Sequence, residues 1–140
     1  MLNILTVEVA NDVVSVADLI IWFQVIVIPL IILILGAILY FKTPKMNPHF
    51  GFRFRSAYQS SESWHYANKL TGKLFFYTGL VATIIYLPFI IILFPRKLGN
   101  AFPLALIPTF ITVITLIVEI SIILVKIKKF NQNHPVESVK

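Results

Sequence analysis

Three long apolar segments constrain the fold of this chain more than any other feature of its sequence. Residues 19–41 and 74–94 carry no charge, and residues 102–125 carry only one. A helix needs about 20 apolar residues to cross the hydrocarbon core of a bilayer. The charged residues make up 13% of the chain, against roughly 25% in soluble domains. The sequence therefore predicts an all-α integral membrane protein, a single membrane domain over residues 1–140 with three transmembrane helices.

The distribution of basic residues predicts the orientation of these helices. All but two of the 12 Lys and Arg residues lie in segment 42–73 or after residue 125, and residues 1–18 contain none. Lys and Arg accumulate in the cytoplasmic loops of membrane proteins. We therefore expect a multi-pass protein of the cell (inner, cytoplasmic) membrane, with its N-terminus outside and its C-terminus inside.

The two ends of the chain and one proline give further expectations. Residues 1–18 are acidic and lack the positive start of a signal peptide, so residues 4–17 are interpreted as an interfacial helix or strand before the first span. The polar residues 131–140 are interpreted as a flexible tail. Pro29 lies inside the first apolar segment and predicts a local kink there.

Composition argues against several kinds of site. The chain has no cysteine, and its three histidines, His49, His65 and His134, lack metal-ligand spacing. No metal or cofactor is therefore expected. The formal charge of +6 comes from residues that flank membrane segments, which indicates topology rather than nucleic-acid binding. No carboxylate pair, nucleophile motif or phosphate-binding loop is present, so we do not expect an enzyme.

The polar loop between the first two spans, residues 42–73, carries most of the distinctive chemistry. Asn47 precedes a proline and indicates a turn. Gly51 lies between two phenylalanines and predicts a positive φ or a close backbone approach. Phenylalanines then alternate with arginines over residues 50–55, which predicts a strand-like interfacial segment with Phe50 on one face and Arg53 on the other.

A short interfacial helix is expected to follow this segment. Ser60 is a good N-cap residue, and a helix beginning there places Trp64 and Asn68 on one face. This helix either continues into the second span or breaks near Gly72. We expect Asn47 and Asn68 to form hydrogen bonds with loop backbone, since buried polar groups need partners.

The loop resembles the motif of the SdpI family of bacterial membrane immunity proteins. The matching residues are Asn47, Phe50, Gly51, Phe52, Arg53, Ser60, Trp64, Ala67, Asn68 and Gly72. Phe54 stands where the family usually has threonine, and the chain resembles only the motif-bearing half of the longer immunity protein. The resemblance implies a protein that protects its cell by binding a toxin or by holding a regulatory protein at the membrane, without catalysis.

Two charged residues have both a functional and a structural interpretation. Arg53 is either a cation at the lipid phosphates or a guanidinium that binds a specific carboxylate or phosphate. Glu119 lies roughly 10 Å inside the third span, where a charge costs on the order of 2–3 kcal/mol. We expect an intramembrane ion pair of Glu119 with Lys73 or Arg53; the alternative is a protonated carboxyl near lipid.

Three functional hypotheses follow from these observations. The first is an immunity or resistance protein that binds a membrane-active peptide toxin or a partner protein through the 42–73 loop. The second is a small transporter or channel component, or a subunit of a membrane complex, that uses Glu119, Lys73 and the histidines. The third is an enzyme acting on lipid head groups, which ranks last. No span contains a GxxxG pattern, and the sequence leaves open whether the protein forms a homo-oligomer.

Overall fold

The computed structural model describes residues 19–20, 22–93 and 102–135, and all regular elements in this part of the chain are helical. A π-helical turn, Phe23–Val27, leads into the first α-helix, and a 3-10 helix lies in the loop that follows this α-helix. The elements are α1 (Ile28–Phe41), the 3-10 helix (Arg55–Gln59), α2 (Ser61–Leu93) and α3 (Phe102–Asn133). The predicted all-α class is confirmed, whereas the expected lead-in at residues 4–17 lies outside the described residues.

Among the described residues, three helical segments are long and apolar enough to cross a membrane, as the sequence predicted: Phe23–Phe41, Ser61–Pro88 and Ile107–Asn133. Helix α2 has 33 residues and is therefore about 50 Å long. The hydrocarbon core is about 30 Å thick, so the N-terminal part of α2 stands outside it. The predicted short interfacial helix is thus the first part of α2, which continues through Gly72 into the second span without a break.

Pro29 lies in the first turn of α1, directly after the π-helical turn. A proline ring clashes with the carbonyl four residues before it, which for Pro29 belongs to Val25. The wider π-helical turn provides space for this clash. The irregularity expected at Pro29 is therefore present as a change of helix type just before it.

Helices α1 and α2 pack antiparallel with very close backbones, and three glycines permit this contact. A Cβ atom on Gly36 of α1 would overlap the α2 backbone at residues 75–76. A Cβ atom on Gly72 or Gly79 of α2 would overlap α1, at residues 39–40 and at residue 33 respectively. Small residues allow this kind of approach in membrane helices, and here they serve contacts within one chain.

Helix α3 packs against α2 through both apolar and polar side chains. The Tyr86 hydroxyl lies 3.2 Å from that of Thr112. Thr109, one helical turn before Thr112, donates a hydrogen bond of 2.7 Å to Gln24, which precedes α1. Large aliphatic side chains on the outer faces of α1 and α3 are exposed, as expected for surfaces in contact with lipid.

Candidate functional site

Residues 43–60, which we call the cap, fold over the loop end of the helices. The turn at Asn47 begins this structure. Its amide nitrogen donates to the carbonyls of Lys45 (2.8 Å) and Phe50 (3.2 Å), and its amide oxygen accepts from the N–H groups of His49 (2.9 Å) and Phe50 (2.8 Å). These four bonds use the full capacity of the amide. The backbone hydrogen bonding predicted for Asn47 is confirmed.

Asn68 connects the cap to α2. Its side chain is fully buried; the amide oxygen accepts from the N–H of Phe52 at 2.6 Å, and the amide nitrogen donates to the Trp64 carbonyl at 2.9 Å. Gly51 lies against this amide with a φ of 122°, and a Cβ atom there would overlap Asn68 and press on the Trp64 ring. The positive φ and close approach predicted for Gly51, and the backbone bond predicted for Asn68, are both confirmed.

Trp64 holds the start of the cap. Its ring is 1% exposed, and its indole N–H donates to the carbonyl of Pro44 at 2.9 Å. The ring of Tyr58 lies 4.8 Å from it, centroid to centroid, and the Tyr58 hydroxyl donates to the Asn47 carbonyl at 3.0 Å. Trp64 is therefore a buried structural residue in this fold.

Ser60 is the N-cap of α2, as the sequence predicted. Its hydroxyl oxygen accepts from the N–H of Ser63 at 3.0 Å. The Ser63 hydroxyl in turn donates to the Asn131 side chain at 2.6 Å, and Asn131 donates to the Ser56 carbonyl at 2.8 Å. The chain of bonds joins the cap, the start of α2 and the end of α3.

The prediction of a flexible tail from residue 131 is therefore wrong at its start. Helix α3 continues to Asn133, and the ring of Phe130 stacks on Tyr66 of α2 at a centroid distance of 4.4 Å. These contacts give residues 126–133 partners that composition does not reveal. Residues 136–140 lie outside the described residues.

A small apolar core lies beneath the cap. It contains residues from the cap, α2 and α3: Phe52, Ala57, Trp64, Ala67, Ile123 and Ile127. Ala57 and Ala67 are fully buried, so larger side chains at these positions would separate the cap from the helices. The cap is thus packed as part of the bundle.

The strand-like segment predicted for residues 50–55 does not form. Only Phe52 of the three phenylalanines is buried; Phe50 and Phe54 are exposed. The turn at Gly51 and the bond from Phe52 to Asn68 rotate the chain, and the 3-10 helix begins at Arg55. Alternation alone could not show this, because the bond that breaks it comes from α2.

The ion pair predicted between Glu119 and Lys73 or Arg53 is also wrong. Glu119 is buried on α3, and its carboxyl accepts a hydrogen bond from the Thr78 hydroxyl. Lys73 is exposed and lies five residues before Thr78, which places it about 140° around the α2 axis and roughly 7.5 Å along it. Within the described residues, the second carboxyl oxygen, Oε2, is buried without a hydrogen-bond partner.

Arg53 lies on the outer surface of the cap. It is exposed, and in the described part of the chain it forms no ion pair or hydrogen bond. The cap displays three exposed aromatic rings and two exposed guanidinium groups, a set of side chains that we call the outer face of the cap: Phe50, Arg53, Phe54, Arg55 and Tyr58. The buried motif residues, which hold the cap on the helices, are Phe52, Trp64, Ala67, Asn68 and Gly72.

Several residues that build the site were not singled out from the sequence. Asn131 and Pro44 bond across long sequence separations, and neither has a local pattern that indicates its partner. Thr78 of α2 bonds to Glu119 of α3, and no local pattern indicates that pairing. Ser63 lies three residues after the N-cap serine, and that spacing is the one signal that could have identified it.

Comparison with known protein families places this architecture. The family model of the SdpI/YfhL proteins matches residues 43–126, which covers the cap, α2 and most of α3. No curated protein and no solved structure matches the chain. The family match begins with the cap, and the motif residues identified from the sequence lie within it. This multi-pass membrane chain therefore belongs to the SdpI/YfhL protein family.

Proposed function

We propose that this protein confers immunity or resistance by binding a membrane-active peptide, with the outer face of the cap as the contact surface. Membership of the SdpI/YfhL family supports an immunity-type role. The observation that carries the proposal is the exposed set of aromatic rings and guanidinium groups held by the buried motif residues. The proposed role is stoichiometric binding rather than catalysis.

The chemistry of the outer face suits a peptide partner. Phe50, Phe54 and Tyr58 are exposed next to Arg53 and Arg55. Aromatic residues and arginine contribute most of the binding energy at protein interfaces. The guanidinium groups have no protein partner within the described residues, so they are available for carboxylates or carbonyls of a ligand.

The buried scaffold favours binding in a second way. Asn47, Asn68 and Trp64 fix the backbone that carries the exposed side chains. A surface ordered before binding loses less conformational entropy when a partner docks. The basic residues of segment 42–73 support a cytoplasmic location for this face, where a peptide that has entered the membrane, or a regulatory protein, would reach it.

A sensitivity assay tests the proposal. Cells with and without the chain are challenged with a panel of membrane-active peptides, and the growth-inhibiting concentration is measured. We expect the chain to raise this concentration for at least one peptide. The double variant R53A/F54A should lose protection, because truncating interface residues of these types commonly weakens binding by 30-fold or more.

A matched control removes the same kinds of side chain elsewhere. Phe41 and Lys42 at the end of α1 are exposed, so F41A/K42A also loses one phenylalanine and one cation. It should keep full protection at equal expression. Equal loss of protection in both double variants, or no protection against any peptide, would contradict the proposed contact surface. If protection requires a regulatory protein bound to the chain, that protein and not the peptide would be the partner of this surface.

A second candidate function rests on Glu119. Its Oε2 atom is buried and has no hydrogen-bond partner in the part of the chain that the structure describes, whereas buried polar atoms are normally bonded. Ionisable residues inside membranes commonly mark ion or substrate pathways. This observation favours a transporter or channel component. Ion flux into liposomes that contain the protein, lost in E119Q and unchanged in R53A/F54A, would support this candidate over peptide binding.

A further inference from the structure

A groove of about 730 Å³ lies along α2, and none of the residues that line it belongs to the cap. It runs along the N-terminal half of α2, with Tyr40 of α1 at the end that contains Lys73 and Phe130 of α3 on one wall. Tyr66 stacks on Phe130 and extends that wall. The groove therefore combines aromatic walls with the polar surface of α2.

Two lysines give this groove its charge. Lys69 and Lys73 line it four residues apart, so their positions lie one helical turn, about 6 Å, from each other. Both are exposed, and neither has a hydrogen bond or ion pair within the described part of the chain. The acidic residue in the lining, Glu62, lies at the opposite end, roughly 16 Å from Lys73 along the helix.

The depth of the lysines matches the phosphate layer of a bilayer. Tyr40 is the penultimate residue of α1 and lies beside Gly72. Lys73 directly precedes the apolar segment that starts at Leu74. Basic and aromatic residues at this boundary lie level with the lipid headgroups, and two ammonium groups one turn apart can bind one phosphate together.

An apolar track continues from the lysines into the membrane. Tyr77, Leu80 and Ile84 follow Lys73 at spacings of four, three and four, which keeps them on the same side of α2. All three are exposed. A free phosphate ion would make no contact with these apolar side chains, whereas the acyl chain of a lipid would lie along them.

From this arrangement we propose that the groove is a binding site for an anionic phospholipid, whose phosphate lies between Lys69 and Lys73 and whose acyl chain lies along Tyr77, Leu80 and Ile84. The two unpaired ammonium groups favour a lipid of net negative charge over a zwitterionic one. His65 lies one turn above Lys69 in the same lining and adds a hydrogen-bonding group toward the headgroup. The site is separate from the proposed peptide surface.

Native mass spectrometry of the purified protein tests this site. The protein is incubated with phosphatidylglycerol or phosphatidylcholine of identical acyl chains, and the retained lipid is counted. We expect phosphatidylglycerol to be retained about 30-fold more strongly by the native chain. The variant K69Q/K73Q should lose this preference, and K69R/K73R, which keeps both charges, should retain it.

The control variant K126Q/K129Q removes two exposed lysines near the C-terminal end of α3. It should retain phosphatidylglycerol as strongly as the native chain does. Equal retention of the two lipids, or equal loss in the control, would overturn the proposal. Displacement of the bound lipid by millimolar inorganic phosphate would also overturn it, since that would identify a free-phosphate site. Unchanged melting temperatures of the exposed-lysine variants would exclude unfolding as the cause of lost binding.

Discussion

Replacing Asn68 by alanine should detach the cap from α2 while leaving the spans folded. The substitution removes the acceptor of the Phe52 N–H, bonded at 2.6 Å in a fully buried site. An unsatisfied buried donor costs about 1–3 kcal/mol, and the emptied side-chain volume adds roughly 1 kcal/mol. The free energy of cap opening should fall by about 2–4 kcal/mol, which corresponds to roughly a 30- to 1000-fold increase in the open population.

Hydrogen exchange of the Ala57 amide measures this change. That amide donates to the Phe54 carbonyl inside the cap at 2.8 Å and does not touch Asn68, so its exchange reports opening rather than the deleted bond. Amides of α2 beyond Gly72 should exchange as before. The exposed Asn133→Ala substitution serves as the control. Unchanged exchange at Ala57, or faster exchange spread evenly over the spans, would refute the assigned role of Asn68.

Three further predictions concern the contacts that hold the bundle together. Gly51→Ala should accelerate exchange throughout the cap, since it forces a non-glycine residue to a φ of 122° at a cost of about 1–3 kcal/mol; unchanged exchange would contradict this. Gly72→Ala should lower the melting temperature in micelles, because the new Cβ atom overlaps α1. This overlap should outweigh the higher helix propensity of alanine, which is about 1 kcal/mol. A raised melting temperature would contradict the close contact between the helices. Thr78→Val should reduce the free energy of unfolding by about 0.6–1.7 kcal/mol, because it removes the bond to Glu119. Lys73→Gln should change the free energy of unfolding by less than about 0.5 kcal/mol. A larger effect of Lys73→Gln would support an ion pair between Lys73 and Glu119.

The buried residues of the cap show how far local patterns can lead. Three features depend on neighbours close in sequence: the N-cap at Ser60, the turn at Asn47 and the positive φ of Gly51. Residue type and spacing were therefore enough to predict them. The backbone bond of Asn68 was predicted from its place in the family motif, since buried polar groups need partners. Its partner, the N–H of Phe52, is 16 residues away and could not be named from spacing.

Two of the mistaken predictions, the strand-like segment and the Glu119 ion pair, share one physical cause. The strand-like segment and the Glu119–Lys73 pair were inferred from alternation and depth along single segments. The observed partners, Asn68 for Phe52 and Thr78 for Glu119, depend on how α2 is rotated against its neighbours. One residue of rotation moves a side chain by about 100° around a helix axis, and no local pattern sets that angle.

The sequence by itself determined the three spans, the all-α class and the location of the unusual polar chemistry, because hydrocarbon solvation and local turn geometry act on residues close in the chain. The tertiary structure alone decided that Asn131 binds the cap and that Trp64, Ala67 and Asn68 are buried while Arg53 is exposed. It also brought α1 and α2 into backbone contact at Gly72. These features depend on side-chain packing between distant segments, whose geometry exists only once the helices are assembled.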